Sequence, residues 1–169
     1  MTAKQEERIW QALSSFEIEI PSWGFANTGT RFGKFLQDAA ATTLEEKFSD
    51  AGCVHRYTGC CPSIALHVLW DFPEGRESVG AVRDLSAAHG VRAGSINPNV
   101  FQDQQYKHGS LGNPDPAVRQ AALDHLLDSV DIAIRTASRD VSLWFADGSN
   151  YPGTQNMRHR RRWFEQGLR

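Results

Sequence analysis

Trp23, His67, Trp70, Asp71, Asn97, Asn99, Phe101, Trp144, Asp147, Ser149 and Asn150 all stand near the ends of four short apolar runs. Together they combine flat aromatic surfaces with amides, carboxylates, a hydroxyl and one imidazole. Carbohydrate sites need that mixture: rings pack on the weakly polar faces of a sugar, while amides and carboxylates bind its hydroxyls. Taken singly, each has a plainer role. Trp70 reads as core. His67, inside A-L-H-V-L, reads as a hydrogen-bonded core histidine. Asp147-Gly148-Ser149-Asn150 could form only a turn, since all four are turn formers. The case for a site comes from four run ends carrying such groups at once.

The elements that must position these groups alternate along the chain. A helix is expected over 3–15, with Ile9, Ala12 and Leu13 on one side. A first strand follows at Phe16–Ile20 and ends at Pro21, which cannot donate to a ladder. Gly24–Gly33 reads as a mobile loop. A helix is expected from about Phe35 to Asp50, with Leu36, Ala40, Leu44 and Phe48 on one stripe and Gly52 as its left-handed stop. The second strand is Ile64–Leu69. A helix over 76–89 turns Val79, Val82 and Leu85 inward and stops at Gly90. The third strand is Val91–Ile96, followed by a long loop, Asn97–Asn113, of a length that is usually functional or disordered. Asn113-Pro114-Asp115-Pro116 is a strong helix start. That helix runs to about Ala137, with Leu123, Leu126, Leu127, Val130 and Ile134 as its apolar stripe. The fourth strand is Val141–Phe145, and a last helix carries Met157–Gly167. Such alternation predicts an α/β fold of four consecutive βα units with parallel strands, in a single domain spanning residues 1–169. Ligands of such sheets sit beyond the carboxyl ends of the strands.

Composition limits the partners. The 169 residues are 40% apolar and 22% charged with a formal net charge of −2, which fits a globular chain and gives no sign of nucleic-acid or membrane binding. No apolar run approaches the ~20 residues that cross a bilayer. The charged start, MTAKQEERIW, has no secretory h-region. With three cysteines, an odd number, this predicts reduced thiols in the cytoplasm. Cys53, His55, Cys60 and Cys61 lack the spaced pairs of zinc sites, and adjacent cysteines in a strand would point to opposite faces. They read as partly buried thiols. The cluster Arg158, His159, Arg160, Arg161 and Arg162 has no wider basic stripe around it and reads as a solvated helix face. GxGxxG, P-loop, G-x-S-x-G and HExxH patterns are absent.

Four segments, IEIPSWGFANTGTRFGKF, ALHVLWD, INPNVFQD with the following YKHGSLGNPDP, and LWFADGSNYPG, resemble the N-terminal half of bacterial L-rhamnose isomerases of the rhizobial and pseudomonad type. That family lies within the xylose-isomerase-like barrel superfamily, and the resemblance runs from about residue 16 to the end. It implies half of a (β/α)8 TIM barrel that interconverts an aldose and a ketose, L-rhamnose and L-rhamnulose, with a divalent metal, commonly manganese, assisting hydrogen transfer between C1 and C2. It implies that His67 contacts substrate oxygens, and that Trp23, Phe101 and Trp144 line the sugar pocket. Phe32 would cap a pocket, that of a neighbouring subunit. The family's metal ligands lie on later strands of the barrel. Asp71 and Asp147 match none of them, so no metal ligand and no catalytic residue is assigned in this chain.

Half a barrel would expose strand edges and inward faces, so self-association is expected. Little isomerase activity is expected from the chain alone, because positioning and metal chemistry act together. The alternatives are a sugar-binding β/α module without turnover and an inert gene fragment. Continuation of the reading frame downstream would settle the last.

Overall fold

The computed structural model describes residues 1–27, 36–148, 153 and 155–169. Phe32, Ser149, Asn150 and most of the loop expected over Gly24–Gly33 lie outside the described residues. The fold is mixed α/β, with a three-stranded parallel sheet in the order β1-β2-β3. The elements are α1 (Ala3–Ser14), β1 (Glu19–Pro21), α2 (Leu44–Thr58), β2 (Ser63–His67), α3 (Val68–Asp71), α4 (Val79–His89), β3 (Arg92–Asn97), α5 (Pro116–Arg135) and α6 (Met157–Gly167). This is the architecture expected of partial βα-unit repetition.

Local chemistry sets most boundaries. Thr2 and Gln5 form a capping box at α1, yet none of its residues is buried, so Ile9, Ala12 and Leu13 face no core. β1 begins later than the alternation of Phe16–Ile20 suggested and includes Pro21, paired with Ala65. Proline is tolerated there because β1 is an edge strand and Pro21 is its last residue. β2 is buried at every position, as a central parallel strand should be. Its pairing with β3 shifts register between Ile64 and Leu66.

The second helix is displaced from its expected range. It starts at Leu44 because Thr43 and Glu46 close a capping box, and it ends at Thr58 because Gly59 takes the left-handed conformation at φ 70°. Gly52 lies inside α2, where it lets the helix approach α4: a Cβ there would stand 2.6 Å from the His89 carbonyl oxygen. Of the expected stripe, Phe48 is buried and Leu44 packs against the core, whereas Leu36 is exposed. Before α4, residues Gly75–Ser78 form a 3-10 turn, and Gly90 ends α4 as expected with φ 69°.

α5 begins as its sequence predicts, with Asp115 accepting from the Ala117 amide at 2.8 Å. Its buried stripe differs. Ala122, Leu126, Ser129, Ile132 and Ala133 face inward, while Leu127, Val130 and Ile134 are exposed. Ile132 and Ala133 of this face pack against Ala93 and Ile96 of β3. The fourth strand is reduced to one parallel bridge, Val141 with Ile96. After Ser142 the chain leaves the sheet, drawn away by the bonds of Asp147 to the 110–112 segment and by Phe145 packing edge-on to Phe164.

The main core joins Phe48, Ile64, Leu66, Val82, Val91, Ile96 and Ile132 between the sheet and its helices. A second cluster, Val100, Tyr106, Leu111, Ala122 and Leu126, sits beneath the long loop after β3. That loop carries a 3-10 turn at Gln104–His108. Cys60 and Cys61 precede β2 rather than lying within it, so strand alternation does not separate them, and their sulfurs are 3.8 Å apart.

Candidate functional site

The turn after β1 holds Trp23, β2 ends on His67, α3 carries Trp70, the loop after β3 carries Phe101, and the segment after Val141 carries Trp144. The fold brings all five together. His67 stacks on Trp70 with ring centroids 3.8 Å apart at 23°. Trp23 meets His67 and Trp70 edge-on at 6.0 Å each. Phe101 stands edge-on to His67 at 6.0 Å and to Trp144 at 4.6 Å. The result is an aromatic wall at the carboxyl ends of the strands, exposed at Trp144 and centred on a buried imidazole.

The state of that imidazole follows from its surroundings. Burial lowers its pKa to about 4; the charge of Asp71 opposes the shift, and the charges of His125 and Lys47 add to it. The ring is therefore neutral at pH 7. Its Nδ1 accepts the Leu69 amide at 3.3 Å, capping α3, so its proton belongs on Nε2. Nε2 is buried and has no hydrogen-bond partner. A buried donor left unpaired costs about 1–3 kcal/mol, and a ligand oxygen would recover it.

Asp71 fixes the floor of this wall. Its Oδ1 accepts from Lys47 Nζ at 2.7 Å, and its Oδ2 accepts from Ser22 Oγ at 2.5 Å and from the His67 amide at 2.8 Å. Asp71 and Lys47 are both buried. One carboxylate thus ties the ends of β1 and β2 to α2. Asn97 turns its amide to the carbonyls of Leu66 and Ser95. Asn99 donates its backbone N–H to His125 Nε2 at 2.9 Å. Both asparagines shape the site's frame.

Asp147 lies apart from the wall. It accepts from the Ser110 amide and hydroxyl, at 2.7 Å each, and from the Gly112 amide at 2.9 Å. Arg160, expected on a solvated face, is buried: Nη2 donates to the His108 carbonyl at 2.8 Å, while Nε and Nη1 have no partner. Among the described residues no three His, Cys, Asp or Glu side chains gather as a metal site. Asp71 and Asp147 have their oxygens engaged by protein donors, so neither is free to hold a divalent metal. A concavity of about 490 Å³ opens at the opposite, amino-terminal end of the strands, between Arg83, Ser86, Gly90 and Thr136. It has no aromatic lining and lies at the carboxyl ends of α4 and α5, remote from the wall.

Three residues of the site escaped sequence reasoning: Ser22, Lys47 and His125. Lys47 reads as a solvated helix lysine, and Ser22 as a turn residue. His125 adjoins the apolar stripe of α5, a weak signal that was available.

Fold and site together define a β/α protein with a histidine-centred aromatic wall at the strand ends. No protein-family model matches the chain. It is 32% identical over 149 residues to a protein of Rhizobium meliloti (strain 1021) named as a probable sugar isomerase, an alignment covering 85% of this chain and 34% of that protein. It is 30% identical over 155 residues to a probable sugar isomerase of Mesorhizobium japonicum, covering 89% of this chain and 35% of that one. The chain spans about a third of the length of these relatives. Among the described residues no helix is long and apolar enough to cross a membrane.

Proposed function

We propose that this chain supplies the sugar-binding wall of an aldose–ketose isomerase, of the L-rhamnose to L-rhamnulose type. The observation that carries the reading is the buried, unpartnered Nε2–H of His67 ringed by Trp23, Trp70 and Phe101. A pyranose face or extended polyol packs on the rings, and one of its oxygens takes the His67 proton donor. Because the rings cover Nε2, Trp23 must turn aside as the sugar enters, while Phe101 stays in place. Trp23 is half-buried, so this movement breaks little packing. The names of the two relatives support the isomerase class.

The divalent metal, manganese by resemblance, belongs to this proposal only for a complete isomerase, where it would polarise the substrate oxygens. For the chain itself the proposal is binding with little turnover.

Titration of tryptophan fluorescence with L-rhamnose tests the binding. A saturable change is expected, and it should be lost in His67→Ala and weakened about tenfold in Phe101→Ala. Absence of any saturable change in the native chain would overturn the reading. An L-rhamnose to L-rhamnulose assay with added manganese checks the second part; robust turnover by the chain alone would overturn the restriction to binding.

A further inference from the structure

His125 lies on α5, away from the aromatic wall in sequence and outside every motif that suggested it. Its Nε2 accepts the backbone N–H of Asn99 at 2.9 Å. That single bond reaches the turn leading to Phe101. Asn99 is itself buried, its Oδ1 accepts from the Gln102 amide at 3.3 Å, and its Nδ2 donates to Asp103 at 3.2 Å. The turn 99–103 is therefore closed on itself; Val100 seats it in the second core cluster, and the bond to His125 is its polar tie to α5. Phe101, at its centre, is the ring that bridges His67 and Trp144.

Burial lowers the pKa of His125, against the charges of Asp128 on its own helix and Asp103 on the loop, so its ring is neutral and able to accept. His67, the other histidine of the region, accepts through Nδ1 instead. The two imidazoles are thus held in opposite tautomers: a proton on Nε2 of His67, and on Nδ1 of His125. A second proton on His125 would remove the acceptor and place a positive charge near enough to His67 to lower its pKa.

We propose that His125 is a positioning residue of the sugar site: as a neutral acceptor for the Asn99 amide it holds Phe101 against His67 and Trp144. This rests on the sugar-binding reading above. Tested on the native chain, long-range ¹H–¹⁵N NMR should show His125 with an unprotonated Nε2 and His67 with a protonated one. His125→Leu should speed solvent exchange of the Asn99 amide at least tenfold, abolish the Phe101–Trp144 nuclear Overhauser contact, and raise the L-rhamnose dissociation constant about tenfold. His125→Gln should restore all three, because its Oε1 can take the place of Nε2.

A protonated Nε2 on His125 would overturn the proposal. So would a His125→Leu protein that keeps the Phe101–Trp144 contact. If that variant does not fold, the native tautomer and the glutamine variant still decide. If the native chain binds no sugar, the functional reading falls, while the tautomer and the Phe101 contact judge the anchor independently.

Discussion

The imidazole of His67 lies flat on the indole of Trp70, with centroids 3.8 Å apart at 23°, and this stack is the centre of the molecule's aromatic wall. Burial in that stack makes the imidazolium form costly, so the folded chain binds fewer protons here than the unfolded one.

Stability should therefore fall with acidification. The contribution of His67 is fully present above its ordinary value near 6.5 and is lost as pH drops through its folded value of about 4. At about 1.4 kcal/mol per pH unit, the loss is on the order of 3 kcal/mol. His125, also lowered by burial, acts in the same direction. Urea unfolding at pH 7, 5.5 and 4 measures the slope, and His67→Gln should flatten it in part. Equal slopes in native and variant proteins would contradict this.

The buried Lys47–Asp71 pair should behave as a unit. Lys47→Met leaves a buried carboxylate held only by Ser22 and the His67 amide, a loss of about 3–5 kcal/mol. Asp71→Asn leaves a buried ammonium and should cost as much. The double variant should be less destabilised than the two singles together, because neither charge is then stranded. Chemical denaturation of the four proteins completes the cycle, and strict additivity would refute the coupling.

Much of this arrangement was legible in the sequence. Trp23, His67, Phe101 and Trp144 were each placed at a strand end by residue type and position, and they do converge. Helix limits were legible where a cap was explicit, as at Asp115 and Gly90. They were misplaced where two signals competed: Gly52 looked like a stop, but Thr43, Glu46 and Gly59 set the ends of α2. The roles of Asp71 and Asp147 were not legible. Whether a carboxylate faces solvent, a ligand or buried amides depends on side-chain partners 24 and 49 residues away for Asp71, besides the nearby His67 amide, and on partners 35 to 37 away for Asp147. The fourth run was too apolar to predict anything but a strand, yet its pairing ends at Val141, because longer-range bonds to Asp147 redirect the chain.

Glu19 and Gly94 make a sharper test of the sheet. The Glu19 carboxylate reaches over β2, accepting from the Ser95 amide at 2.7 Å and from its hydroxyl. A Cβ on Gly94 would stand 1.8 Å from Glu19 Oε2 and 2.6 Å from Cδ. Gly94→Ala must expel the carboxylate and give up its exposed bond to the Ser95 amide, a cost of about 0.5–1.5 kcal/mol. In a Glu19→Ala background the same substitution should cost almost nothing further. Thermal melts of the two single variants and the double variant measure this; a full additional cost in the double variant would show that Gly94 is constrained by something else.

The remaining prediction concerns association. Ile9, Trp10, Leu13, Phe16 and Ile18 are between 45% and 64% exposed, and α1 buries none of its side chains. Apolar groups left this open usually meet another surface. β1 is an edge strand that pairs with β2 alone among the described residues, so its outer edge adds unpaired backbone groups. The chain is therefore expected to self-associate at micromolar concentration, measured by size-exclusion chromatography with light scattering. Trp10→Glu with Leu13→Glu should shift it toward monomer without altering the response of the aromatic wall to L-rhamnose, since neither residue belongs to that wall. A native chain that elutes as a clean monomer would mean that this apolar surface is tolerated in water, and the association would have to be abandoned.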